Sequence, residues 1–172
     1  KRAVQAIDSG KFKEEIVPVE IQDRKKGTIV VDTDENPRGD TSLEALSKLP
    51  PIYKKDGTIS AGSSSALSDA GSAYVVADGD WEKANGYTPL AEIVGYASGA
   101  LDAVHMGLGP IVAIPKALAM AKMSLCDMEL IEINEAFAAQ IIACHRELKF
   151  DMDLLNPHGG AIALGHPIGD GS

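Results

Sequence analysis

The chain is poor in the features that would place it in several common classes. Its 172 residues hold two cysteines, Cys126 and Cys144, well separated in sequence, which excludes a disulfide framework and leaves two reduced, structural thiols as the expectation. Positive charge is short: 16 Lys and Arg stand against 25 Asp and Glu, for a net charge of −9. Such a balance disfavours nucleic acid, which rewards a basic footprint. No apolar run approaches the length of a bilayer crossing and no signal-peptide pattern opens the chain, so membrane insertion is not expected. The glycine-rich strand-to-helix fingerprint of nucleotide-binding α/β proteins is missing, as are repeats and low-complexity segments. What remains, 45% hydrophobic and 24% charged residues, fits a soluble intracellular globular protein with a packed core.

The most informative stretch present is Gly159-Gly160-Ala161-Ile162-Ala163-Leu164-Gly165-His166-Pro167. Proline drives the residue before it out of the α region and suits the first position of a helix, so His166 is expected just outside a helix N-terminus. A helix starting there would disfavour the imidazolium and leave a neutral ring nitrogen able to accept a proton. The flanking glycines permit close approach of backbone and substrate. The plainer alternative is a glycine-rich turn whose histidine only fills space.

A second motif, Asn134-Glu135-Ala136-Phe137, follows the β-type run Leu130-Ile131-Glu132-Ile133 and precedes an apolar helical stripe of Phe137, Ile141 and Leu148. Asn134 therefore falls at a strand-to-helix junction. It could simply cap the helix, with Glu135 suited to the positive end of the dipole. Ligands of open α/β sheets bind at the carboxyl ends of strands, however, and there the same amide could hold a catalytic water.

Elsewhere, residues 15–21 and 27–32 read as two strands joined by the charged turn Gln22-Asp23-Arg24-Lys25-Lys26, followed by a capping box of Thr41 and Glu44. Residues 68–73 read as a helix of small residues running into the β-type Tyr74-Val75-Val76. Asp80 is expected to cap a short helix ending at Gly86. From Leu90 onward strands and helices are expected to alternate, which argues a layered α/β domain. The helix after Gly109 must accommodate Pro115.

Together the two motifs resemble those of the thiolase family, whose members carry an Asn-Glu-Ala-Phe box followed by a Gly-Gly-Ala-Ile-Ala-Leu-Gly-His-Pro box at this kind of separation. Further stretches are similar to the same family, among them residues 11–19, 42–46, 57–62 and Met106-Gly107-Leu108-Gly109-Pro110. The run Ser63-Ser64-Ser65-Ala66-Leu67-Ser68-Asp69 looks closer to the degradative 3-ketoacyl-CoA thiolases than to the biosynthetic acetoacetyl-CoA enzymes, although Asp69-Ala70-Gly71 stands where the family more often has Asp-Gly-Ala.

The resemblance implies an α/β fold of layered αβαβα architecture. Residues 1–67 would form the C-terminal part of a CoA-binding loop domain, 68–88 the end of the N-terminal core domain, and 89–172 a truncated C-terminal core domain. It implies an acyltransferase in which His166 and Asn134 are catalytic. Arg38 would lie beside the adenine and phosphate end of coenzyme A, Ser65 beside the pantetheine arm, and Met106 and Phe137 around the acyl pocket. The guanidinium of Arg38 suits both a flat base and a phosphate. Acyl-CoA and CoA are the implied partners, with CoA a substrate rather than a cofactor, no cofactor and no metal, and a homodimer or homotetramer as the assembly. A cytoplasmic location is the expectation, with a mitochondrial or peroxisomal matrix as the alternative. His158 and His166 lack a recognised metal-ligand spacing. Family chains are far longer and carry a nucleophilic cysteine in a Cys-Gly-Ser context and an acid/base cysteine in a Cys-x-Gly-Gly context. Neither context occurs here, so an internal fragment, inactive alone, is expected. A non-catalytic CoA-binding relative is the competing class, against which the retention of both Asn134 and His166 argues.

Overall fold

Valine and isoleucine at 19, 21, 29 and 31 have the period of strands. In the structure, a computed structural model describing residues 1–170, β1 (Val19–Asp23) and β2 (Gly27–Val31) form an antiparallel hairpin with Val19 opposite Val31 and Asp23 opposite Gly27. The first strand begins after Pro18 rather than at Glu15, since proline brings no N–H to a ladder. The Asp23 carboxylate organises the turn, accepting from the Lys25 and Lys26 N–H groups at 2.8 Å each. These bonds hold its carboxyl below the usual carboxylate range.

Helix α1 (Arg2–Asp8) stops before Gly10, whose φ is +74°. Its buried Ala3 and Ala6 face the rest of the chain, and the Arg2 guanidinium donates to the carbonyls of Leu155 and Met152. The N-terminal helix is thereby fastened to the segment that leads into the glycine-rich motif. Helix α2 (Leu43–Ser47) is capped by Ser42, whose hydroxyl accepts from Ala45 N–H at 3.1 Å. The expected Thr41/Glu44 box does not form, because the cap lies one residue later and Glu44 pairs with Lys48 instead. Asp78, not Asp80, caps α3 (Gly79–Asn85), accepting from the N–H groups of Asp80 and Trp81. Gly86 closes α3 in the left-handed conformation, as expected.

The expected helix over 68–73 is absent, and these residues carry neither helix nor strand. Serine and glycine have weak helix propensity, and Ser72 instead donates to the Asp170 carbonyl at 3.2 Å. Residues 74–76 form no strand, and the segment 91–102, where alternation is expected from the sequence, has neither helix nor strand and lies against a helix. That helix, α4 (Gly109–Ala121), has Pro110 in its first turn and Pro115 inside. A Cβ on Gly95 would lie 2.7 Å from the Ala117 carbonyl, and one on Gly99 would lie 2.9 Å from the Ala113 nitrogen. Backbone meets backbone there, which only glycine permits.

One expectation about apolar runs is corrected. The helical stretch Ala103–Ala121, 19 residues with mean hydropathy 1.4 in its most apolar window, is long and apolar enough to cross a membrane by length and composition. It is broken, however, into a 3-10 segment, Ala103–Leu108, and α4, with His105 outside helical geometry.

The core sits in the C-terminal half. Ile131, Ile133, Ile141, Cys144, Phe150 and Leu155 are buried together, and Ile111 and Ile114 of α4 pack on them. Helix α5 (Ala138–Leu148) contributes Ile141 and Cys144, with Leu148 packed against them, so Ile141 and Leu148 of the stripe read from the sequence face the core while Phe137 lies at the N-cap outside it. Ile131 and Leu155 are joined by a parallel bridge, with Ile131 N–H donating to Leu154 and Asn156 N–H donating to Ile131.

Candidate active site

The buried Ile131 and Ile133 deliver Asn134 to the edge of this core. Asn134 does not cap α5: the helix begins at Ala138, with Phe137 at its N-cap. The capping alternative thus fails, and the amide is left for another use. The Asn134 carbonyl accepts from Gln140 Nε2 at 3.2 Å, which ties the loop to the first turn of α5.

His166 arrives from the other side. One helical turn, α6 (Ala161–Leu164), is followed by Gly165 at φ +103°, a conformation suited to glycine that turns the chain so that His166 N–H donates to the Ala66 carbonyl at 2.9 Å. The helix expected after Pro167 is not seen among the described residues. Residues 168–170 form a turn in which Asp170 N–H donates to Pro167, and the continuation of that helix, at 171–172, lies outside the described residues. The helical turn described near His166 is therefore the one that precedes it.

The two motif residues meet. Asn134 Nδ2 donates to His166 Nε2 at 3.2 Å. An amide nitrogen only donates, so this placement assigns the ring proton to Nδ1 and leaves Nε2 an acceptor. An imidazole Nε2 that accepts from a primary amide is placed to take up a proton next to a hydrogen-bond donor.

Between the two motifs runs the segment containing Ser65. Ser65 N–H and Oγ both reach the Ala136 carbonyl, at 3.1 and 3.3 Å, while Ser64 bridges Phe137. Ser64 to Ala66 thus bonds to the Asn134 loop on one side and to His166 on the other. Phe137 is half-buried and meets Tyr53 edge-on with ring centroids 6.3 Å apart. Met106 is 73% exposed in the 3-10 segment, and its neighbour Gly107 packs close to Gln140. Arg38 is exposed in the connection between β2 and α2, two residues from Asn36, whose amide approaches Gly165. It is Gly107 and Asn36, the sequence neighbours of Met106 and Arg38, that reach Gln140 and Gly165.

Cys144 is fully buried, donates to the Gly107 carbonyl at 3.6 Å, and has its thiol pushed up by burial. Cys126 is exposed in the 3-10 turn Leu125–Asp127. His158 packs edge-on to Phe12.

Sequence reasoning missed the residues that frame the pair. Asn156, only 2% exposed, clamps Ile133, and Glu135 accepts from Asn156 and from Ile162 N–H. The Ser68 hydroxyl packs against Gly165. An asparagine before a proline, as in Asn156-Pro157, reads locally as a turn, and nothing in its neighbours signals that its side chain is the buried one.

The family model for the thiolase N-terminal domain matches residues 1–80, and that for the thiolase C-terminal domain matches residues 87–172. Human mitochondrial 3-ketoacyl-CoA thiolase is 48% identical over 164 residues, 95% of this chain and 41% of the relative. The acetyl-CoA acetyltransferase of Syntrophomonas wolfei is 52% identical over 169 residues, 97% of this chain and 42% of the relative. Among solved structures, the Bacillus anthracis acetyl-CoA acetyltransferase superposes with a TM-score of 0.94 at 44% identity, over 98% of this chain and 43% of that one. Human mitochondrial 3-ketoacyl-CoA thiolase in complex with CoA gives 0.85 at 44% identity, over 96% and 41%. The chain thus spans about two fifths of the length of these relatives. With one family model on each half and a fold shared at these scores, the chain belongs to the thiolase family and has its α/β fold.

Proposed function

We propose that the whole protein is a thiolase: an acyltransferase that cleaves a 3-ketoacyl-CoA with CoA, giving acetyl-CoA and a shortened acyl-CoA, as in fatty acid β-oxidation. The observation that carries this reading is the 3.2 Å approach of Asn134 Nδ2 to His166 Nε2. A protein that only bound CoA would have no use for an amide and an accepting imidazole brought together by two separate motifs. The nucleophile is a cysteine thiol that these 172 residues do not supply. His166 Nε2 takes its proton, and the thiolate attacks the 3-keto carbon. The bond between carbons 2 and 3 breaks, its electron pair passing to carbon 2 as the acetyl-CoA enolate. An enolate oxygen seated between Asn134 and the protonated His166 receives a hydrogen bond from each. Carbon 2 is then protonated by the acid/base cysteine that the family resemblance implies and these 172 residues do not supply. The thiol of a second CoA, giving up its proton to that cysteine's thiolate, displaces the nucleophilic cysteine from the acyl-enzyme, the departing thiolate recovering its proton from His166. Arg38 and Ser65 serve the CoA, and Met106 and Phe137 serve the acyl chain.

The same site run backwards condenses two acetyl-CoA molecules, a reading supported by the 52% identity to an acetyl-CoA acetyltransferase. The thiolytic direction is supported by the run Ser63 to Asp69. The test is His166→Ala in the whole protein, assayed in both directions alongside a CoA titration. Loss of turnover with CoA binding retained is expected, and an active variant overturns the reading.

A further inference from the structure

We propose that Asn156, acting with Glu135, is the positioning residue of the Asn134–His166 pair. This rests on the reading of that pair as the reacting groups. Asn156 is the buried polar side chain among the described residues, 2% exposed, at φ +43°, a left-handed conformation that asparagine tolerates better than most residues. Its side chain is placed as if it were another peptide unit. Oδ1 accepts from Ile133 N–H at 2.9 Å, and Nδ2 donates to the Ile133 carbonyl at 2.9 Å and to Glu135 Oε1 at 2.9 Å. Both amide protons are used, and both point at the residues flanking Asn134. One buried amide therefore holds the chain immediately before and immediately after Asn134.

Glu135 carries the constraint to the histidine. Its second oxygen accepts from Ile162 N–H at 3.2 Å, at the start of α6, and its carboxylate fills the space where a side chain on Gly160 would sit. From α6 the chain passes through Gly165 to His166. Asn156 and Glu135 thus join the two motifs by a route independent of the Asn134–His166 hydrogen bond itself. Their hydrogen bonds run to Ile133, to each other and to Ile162, so their influence on rate runs through the placement of the pair. A misplacement of about 1 Å in a reacting group is enough to cost on the order of 100-fold in rate.

The test is a double-mutant cycle in the whole protein. Glu135→Gln keeps the size of the side chain but turns one acceptor into a donor facing another donor. The expectation is a fall in kcat of roughly 10- to 100-fold with KM for both substrates within about twofold. In an Asn134→Ala background the same change is expected to cost several-fold less, because one member of the pair it aligns is gone. Asn156→Asp, which keeps the acceptor for Ile133 N–H and loses both donations, is expected to follow the same pattern. If that variant does not fold, Glu135→Gln decides alone. An equal loss in both backgrounds, or no loss in either, overturns the positioning role. His166→Ala run in parallel separates the two claims: an active His166→Ala protein overturns the functional reading, whereas a dead one beside an additive Glu135→Gln overturns only the positioning role.

Discussion

Replacing Asn134 by alanine should separate rate from stability. Among the described residues the side chain gives one hydrogen bond, to His166 at 3.2 Å, and both residues are half-buried. Losing such a bond costs about 0.5–1.5 kcal/mol of stability. Because Asn134 stands upstream of the α5 N-cap, the further ~1 kcal/mol of a lost cap does not arise. A change of 1 kcal/mol lowers Tm by roughly 2–4 °C in a domain of 150–250 residues, and the whole enzyme should move no more than that. The rate effect should be larger. If the amide donates to the enolate oxygen, its removal costs about 2.7–4 kcal/mol in the transition state, or roughly 10²–10³ in kcat. Asn134→Asp should be slower still, since it presents only acceptors and a negative charge to a developing oxyanion. The assays are thiolysis of acetoacetyl-CoA by the whole protein, followed by loss of its absorbance, and a thermal melt of each variant. A variant that melts several degrees lower yet turns over at the parent rate would refute the catalytic reading and return Asn134 to a structural role.

Gly165→Ala should reduce kcat with little change in CoA binding, because φ +103° is strained for alanine and the added methyl would overlap the Ser68 hydroxyl beside His166. A fully active Gly165→Ala enzyme would show that the histidine's position does not depend on this turn. Gly159→Ala should cost more than 1 kcal/mol of stability, since φ is +98° and the new Cβ would lie 2.5 Å from that of Ala3; urea unfolding measures it. Peptide mapping after brief iodoacetamide treatment should find Cys126 labelled and Cys144 protected until denaturant is added, because burial of Cys144 raises its thiol above the usual range and disfavours the reactive thiolate. The 172-residue chain alone should not cleave acetoacetyl-CoA: Cys144 is buried and committed to the Gly107 carbonyl, and Cys126 is exposed in the turn Leu125–Asp127, in neither of the cysteine contexts of the family. Turnover by this chain would assign the nucleophile to one of them.

Much of this protein is legible in its sequence, for reasons that are local. The hairpin around Asp23 to Gly27, the end of α1 at Gly10, the left-handed stop of α3 at Gly86 and the core-facing stripe of Ile141 are each fixed by residues within a few positions of one another. The two motifs gave Asn134 and His166 as the pair to examine, and the family to which the chain belongs. Helix starts were less legible, since Ser42 and Asp78 were as able to cap as Thr41 and Asp80, and which one does so depends on where the chain enters the helix. Strands were least legible, because Tyr74, Val75 and Val76 have the composition of a strand whereas a ladder needs a neighbour the local sequence does not specify. Tertiary structure alone decided that Asn134 is no cap, that its amide meets a ring 32 positions away, and that a buried Asn156 grips Ile133 across 23 positions. These are hydrogen bonds between groups distant in the chain, and their geometry exists only once the core beneath Ile131 and Ile133 has packed.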